Sequence, residues 1–198
     1  MISIRPYNNA GREDCAYWDN FLTQEDINFI LDSPSWAHTE TAKIGIGSNE
    51  SAINNQIRRT DVGWFDFTAN NQEIWNKIGG VIWEVNRTFF QFDLTGCYEP
   101  AQLGIYRSTN QGHYDWHIDA SIKSPMVPRK LSMVIALSDP ADYAGGELQI
   151  MDSNEPQTLE MPLGRAWFFP SWLLHRVTPV TAGTRKTLAL WIGGPGFR

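Results

Sequence analysis

The chain has 198 residues with 42% hydrophobic and 13% aromatic content, enough apolar material for a buried core without covalent staples. A formal charge of −6 disfavours broad affinity for a phosphate backbone, and with it nucleic acid as a partner. Cys15 and Cys97 make no CxxC pair, no apolar run approaches the roughly 18 residues of a membrane span, and MISIRPYNNAGRED has no leader pattern, so a soluble, cytoplasmic protein is expected.

In chain order, TQEDINFILDSP carries a capping-box spacing from Thr23 to Asp26, then Ile27, Ile30 and Leu31, and stops before Pro34. It predicts a short helix. The polar, glycine-containing stretch 44–56 reads equally as a lid over a substrate or as an ordinary loop. From about 71 to 89, Ile74, Ile78, Val81, Ile82, Val85 and Phe89 recur at helical spacing, weakened by Gly79 and Gly80.

After Phe92 the pattern changes to short apolar runs between turn residues. Strands are predicted at 101–106, 116–119, 130–138, 146–151, 165–170, 175–180 and 187–193. Helices followed by many short strands predict an α+β fold with a sandwich or jelly roll. One domain over 1–198 is expected, with helical support at about 20–92 and a strand core at about 93–195.

The stretch HYDWHID, 113–119, holds two of the four histidines. On a strand, His117 and Asp119 project to the same side and could hold half of a metal site. His175, on another predicted strand, supplies a third candidate. Two histidines and a carboxylate suit non-haem iron(II) and leave coordination positions open. Arg185 follows ten residues after His175. A tight TAG turn between antiparallel strands would return it beside the histidine, where its planar fork could hold a chelating dicarboxylate about five carbons long. A zinc hydrolase would leave Arg185 unexplained, and a non-catalytic jelly-roll binding module would not need the triad.

With YRSTNQGHYDWHID, LSDPADYAGGELQI and HRVTPVTAGTRKTLALW, the chain resembles the iron(II) and 2-oxoglutarate-dependent dioxygenases, in their prolyl 4-hydroxylase-like branch that includes PKHD-type hydroxylases. The resemblance implies a double-stranded β-helix (jelly roll) core with supporting N-terminal helices. It implies Fe(II) at His117, Asp119 and His175 as catalytic ligands, with Arg185 and Tyr106 binding 2-oxoglutarate. O2 is the second cosubstrate, succinate and CO2 are products, and ascorbate is a candidate reductant for oxidised iron. It further implies hydroxylation of a prolyl residue in a peptide or protein; a free amino acid or small metabolite is the alternative within the same chemistry. Trp191 matches a pocket tryptophan of some relatives, whereas LSMVIALSD lacks the second tyrosine that others carry near the cosubstrate.

The remaining candidates carry weaker expectations. By strand alternation His113 faces the same side as His117, but about 13 Å along, so it is read as a substrate-side or loop residue rather than a ligand. Trp116 and Tyr114 could flank a substrate channel, Glu147 could support a loop, and His38 reads as a surface residue.

Overall fold

The capping box forms as its spacing predicts. In the computed structural model, which describes residues 14–36, 38–43, 52–120 and 127–196, Thr23 caps helix α1 (Gln24–Leu31). The Thr23 hydroxyl accepts from the Asp26 amide at 3.2 Å, and the Asp26 carboxylate accepts from the Thr23 amide at 3.0 Å. The same carboxylate accepts from Lys77 Nζ at 2.7 Å, which ties α1 to helix α2 (Gln72–Val85).

Burial raises the Asp26 pKa, but Lys77 and the Thr23 amide and hydroxyl outweigh it, and the carboxyl ends below its usual range. A lowered folded-state pKa contributes stability that is present above the unfolded value and lost as pH falls through the folded one. Asp26→Ala is therefore expected to lower stability by about 1–2 kcal/mol at pH 7, mostly through the lost cap, because Lys77 is well solvated. Urea denaturation should show that penalty shrinking at pH 3.

Helix α2 buries Ile74, Ile78, Val81, Ile82 and Val85 on one face. Each such burial is worth about 1.5–3 kcal/mol, against about 1 kcal/mol for each helical glycine, so the face decides the outcome. Gly79 and Gly80 lie on the opposite side, where an added Cβ would meet nothing. Beyond Val85 the helix makes one π turn, Asn86–Phe90, closed by the Gln91 amide donating to the Asn86 carbonyl at 2.6 Å. The wider turn slips the apolar phase by one residue. Phe90 is thus buried at 7% exposure, whereas Phe89, the residue expected inside, is 37% exposed.

Fourteen strands, numbered in chain order, pair antiparallel in two sheets among the described residues. The larger runs β1 (Ala16–Trp18), β12 (Ala166–Pro170), β8 (Arg129–Ala136), β14 (Val180–Gly193), β6 (Ala101–Arg107), β4 (Asp61–Phe65) and β2 (Glu40–Thr41). Two short strands, β5 (Gly96–Cys97) and β9 (Tyr143–Gly145), also pair with β14. The smaller sheet runs β11 (Gln157–Leu159), β10 (Leu148–Met151), β13 (Leu174–Val177), β7 (His113–His117) and β3 (Arg58–Arg59).

Both helices pack on the outer face of the larger sheet through Ile27, Ile30, Ile74, Ile78, Leu103, Met133 and Phe168. A second apolar cluster, including Leu148, Ile150, Phe169, Val177 and Val180, fills the space between the sheets. This is the expected jelly roll with supporting helices. No helix among the described residues is long and apolar enough to cross a membrane.

Two local expectations are corrected. The TAG segment is not a turn: β14 is continuous over 14 residues, and the chain runs on from β13 without reversing, since Val177 pairs with Leu148, the Thr178 amide donates to the Glu147 carbonyl, the Gly146 amide donates to the Pro179 carbonyl, and Val180 pairs with Gly145. Thr181 to Gly183 run alongside β9, and Gly183, at φ +67°, permits an approach in which a Cβ would lie 2.0 Å from the Asp142 carbonyl oxygen. The strand expected at 116–119 begins earlier and ends at His117, leaving Asp119 in a bend. As for the possible lid, 44–51 lies outside the described residues, and 52–56 is exposed.

Candidate functional site

A bulge in β7 builds the site. His117 pairs with His175, but Tyr114 pairs with Val177, so β7 has one residue more than β13 over that interval. The bulge brings Tyr114 to the face of His117, and their rings stack at 3.5 Å. It also overrides the simple alternation that placed His113 on that face. His113 instead pairs with Arg59, and its ring nitrogens lie 2.9 Å from the Gln111 carbonyl and 3.2 Å from that of Gln56. Trp116 lies under the Arg176 guanidinium at 4.5 Å and is absent from the cavity walls that Tyr114 lines.

After β7 the chain folds back because the Asp119 and Ala120 amides both donate to the Ser171 carbonyl, each at 2.8 Å. The Asp119 carboxylate consequently sits 3.8 Å from His117 Nε2 and 3.5 Å from His175 Nε2. One ligand atom from each of the three residues lies within 4.8 Å of the others, a spacing that could hold a metal ion. Each imidazole has Nδ1 at 2.8 Å from a main-chain carbonyl, Asp115 for His117 and Leu173 for His175. Donation from Nδ1 leaves the Nε2 lone pairs facing the carboxylate, as metal ligation requires. Asp119 Oδ2 accepts from the Ser132 hydroxyl at 2.7 Å, and Ser132 lies 2.9 Å from the Ser171 hydroxyl.

Electrostatics agree with a neutral, ligand-ready His117. Burial, then the neighbouring His175, lowers the His117 pKa to about 4, against partial opposition from Asp119. Burial works to raise the Asp119 pKa, but the two histidines and the Ser132 hydroxyl outweigh it and the carboxyl stays ionised.

Arg185 reaches the same place from the opposite sheet. It pairs in register with Tyr106 on β6, is 1% exposed, and its Nη2 is buried without a hydrogen-bond partner. Its guanidinium carbon lies 5.2 Å from the Tyr106 ring centroid. Arg185, Tyr106 and the triad line one inner crevice of about 50 Å³, to which β8 contributes Met133 and Val134. An outer cavity of about 490 Å³ adjoins it, walled by Arg58, Trp64, Gln102, Tyr114, Arg129 and Trp191 together with His117 and Asp119. Trp191 therefore faces both spaces, beneath the Arg129 guanidinium at 3.9 Å.

Elsewhere, His38 is exposed. Glu147 braces its loop, its amide donating to the Thr178 hydroxyl at 2.8 Å. Three residues at the site carry no motif signal: Ser132, Ser171 and Gln102. The hint for Ser132 was its polarity inside the apolar strand KLSMVIALS.

Comparison with known proteins places this geometry. Residues 101–193 match the 2OG-Fe(II) oxygenase superfamily, 2OG being 2-oxoglutarate. A PKHD-type hydroxylase of Teredinibacter turnerae is 32% identical over 152 residues, covering 74% of this chain and 63% of the relative. Another, of Pseudomonas fluorescens, is 34% identical over 125 residues, covering 61% and 54%. The matches thus span less than two thirds of the length of these relatives. A solved prolyl hydroxylase from Trichoplax adhaerens, in complex with a peptide fragment of the hypoxia inducible factor oxygen degradation domain, superposes with a TM-score of 0.70. It is 17% identical, with 91% of this chain and 83% of that one covered, and so bears on the fold. With the jelly roll, the superfamily match over the strand core and the PKHD-type relatives in agreement, the chain belongs to the 2OG-Fe(II) oxygenases, of the PKHD type.

Proposed function

We propose that the chain hydroxylates an unactivated C–H bond of a prolyl residue in a peptide or protein, with Fe(II) at His117, Asp119 and His175 and 2-oxoglutarate on Arg185 and Tyr106. The observation that carries this reading is a partly buried two-nitrogen, one-carboxylate set sharing a crevice with a buried, unsatisfied guanidinium nitrogen. The donor set suits iron(II), and the orphaned Arg185 Nη2 suits an arriving carboxylate. When bound, iron(II) with 2-oxoglutarate and O2 supplies an oxidative decarboxylation that gives succinate, CO2 and the oxidising power for the C–H bond.

The protein's own part is placement. The two histidine-to-carbonyl hydrogen bonds hold both Nε2 atoms inward, and Ser132 fixes the Asp119 carboxylate. Tyr106 packs beside the Arg185 guanidinium, and the apolar crevice walls of Val134, Leu148 and Val177 exclude water from the reacting centre. A prolyl substrate is supported by the prolyl hydroxylases that share the fold, one of them holding a peptide.

Anaerobic loading with iron(II) and 2-oxoglutarate, then O2 with and without a proline-rich peptide and ascorbate, tests the proposal. Succinate coupled to the mass gain of one oxygen atom on the peptide is the expected result. Absence of iron-dependent 2-oxoglutarate binding overturns it.

Two further outcomes are expected. Ser132→Ala removes the hydroxyl that orients Asp119 and should weaken iron(II) binding by roughly 10-fold, measured by competition with a chelator. The metal-free protein should lose stability below neutral pH. His117 is neutral when folded down to about pH 4 yet protonates near pH 6.5 when unfolded, so the unfolded state binds more protons between them. A loss on the order of 1–2 kcal/mol from pH 7.5 to pH 5 is expected, and His117→Gln should flatten that slope.

A further inference from the structure

Two arginines wall the outer cavity in different circumstances. Arg129 is ion-paired with Glu99 and lies over the Trp191 ring, so its charge is matched. Arg58 is 7% exposed, donates from Nη2 to Gln102 Oε1 at 2.7 Å, and spreads over the Tyr114 ring at 4.4 Å. Its Nε is buried with no hydrogen-bond partner, and none of the ion pairs among the described residues includes it.

A buried cation without a counter-charge is costly, and one amide acceptor with one aromatic face returns only part of that cost. Such a position suits an anion that arrives from outside. The cosubstrate is a poor candidate, because its proposed anchor Arg185 lines the inner crevice but not the outer cavity, whereas Arg58 lines both. At about 490 Å³ the outer cavity falls within the roughly 300–1,000 Å³ of small-ligand pockets. Trp64, Tyr114 and Trp191 offer aromatic faces to an apolar ring.

We propose that Arg58 binds a free carboxylate of the substrate, so that the prolyl residue hydroxylated is a C-terminal one with its α-carboxylate on the Arg58 guanidinium. The inference rests on the prolyl-oxygenase reading above and narrows it. An internal prolyl residue offers Arg58 a neutral carbonyl, which leaves the buried charge unmatched; a carboxylate makes the stronger, charge-assisted pair.

The test is calorimetric binding under nitrogen, with and without iron(II) and 2-oxoglutarate. The probes are the tripeptide Ala-Ala-Pro as free acid and as C-terminal amide, with the Ala-Ala-Ala acid and amide beside them. The Ala-Ala-Pro acid is expected to bind roughly 10- to 100-fold more tightly than its amide. Arg58→Gln should remove that preference and Arg58→Lys retain part of it, with thermal melts confirming that both variants fold. Equal binding of acid and amide, binding of neither, or a preference that survives Arg58→Gln overturns the proposal. Acid preference shown equally by Ala-Ala-Ala keeps the carboxylate site and removes the prolyl reading. Failure of iron-dependent 2-oxoglutarate binding removes the oxygenase reading instead.

Discussion

Replacing His175 by alanine is expected to abolish turnover and to weaken iron(II) binding by at least about 100-fold, beyond the 10- to 100-fold typical of losing a supporting hydrogen bond. His175 is 5% exposed, its Nδ1 is committed to the Leu173 carbonyl, and its Nε2 stands 3.5 Å from Asp119. Truncation removes one of three donors, and the described surroundings offer no replacement: the wall beside it is Phe169, 4.8 Å from the imidazole centroid. His113→Ala is the matched control. With both ring nitrogens against loop carbonyls, His113 should leave metal content unchanged, and a substantial drop would mean that the wrong histidine has been assigned. Metal analysis after dialysis against a chelator reads both.

Arg185→Ala is expected to raise the KM for 2-oxoglutarate by roughly 100-fold while leaving iron(II) affinity within a few-fold of the original protein. The guanidinium is buried, stacked near Tyr106 and short of one hydrogen-bond partner, so its main energetic return comes only when a carboxylate arrives. The same reasoning predicts an unusual stability result. Removing a buried, under-satisfied cation should cost the cosubstrate-free fold less than its complete burial suggests. Equal loss of metal in the His175 and Arg185 variants would contradict the division of roles.

The core of this arrangement was legible because it depends on residue type and coarse periodicity. Thr23 and Asp26 announced the first helix, the apolar repeat of α2 announced the second, and after Phe92 the strands of four or more residues declared themselves by apolar content, whereas the five-residue β4, DVGWF, was not foreseen. What escaped was set by the partner strand rather than by the segment itself. The two-residue strands β2, β3 and β5 are too short to show alternation, and Arg58 sits on one of them. The β7 bulge cannot be read from HYDWHID, because nothing in those residues says that Tyr114 will oppose Val177. The π turn after Val85 likewise exchanged Phe89 for Phe90 through one added residue in the turn. The TAG error had the same origin. Small residues suggested a reversal, whereas pairing with β9 made them an extended edge.

That continuous β14 has a consequence for selectivity. His117 and His175 stand on the smaller sheet and Arg185 on the larger, so the proposed metal ligands and the proposed anchor are mounted on opposite plates of a sandwich whose gap is about 10 Å. Leu148 and Val177, which fill that gap, act as its spacers. The length of dicarboxylate that can bridge the two plates is therefore gauged by ordinary core packing, and trimming a spacer should retune the preferred chain length without touching a single polar contact.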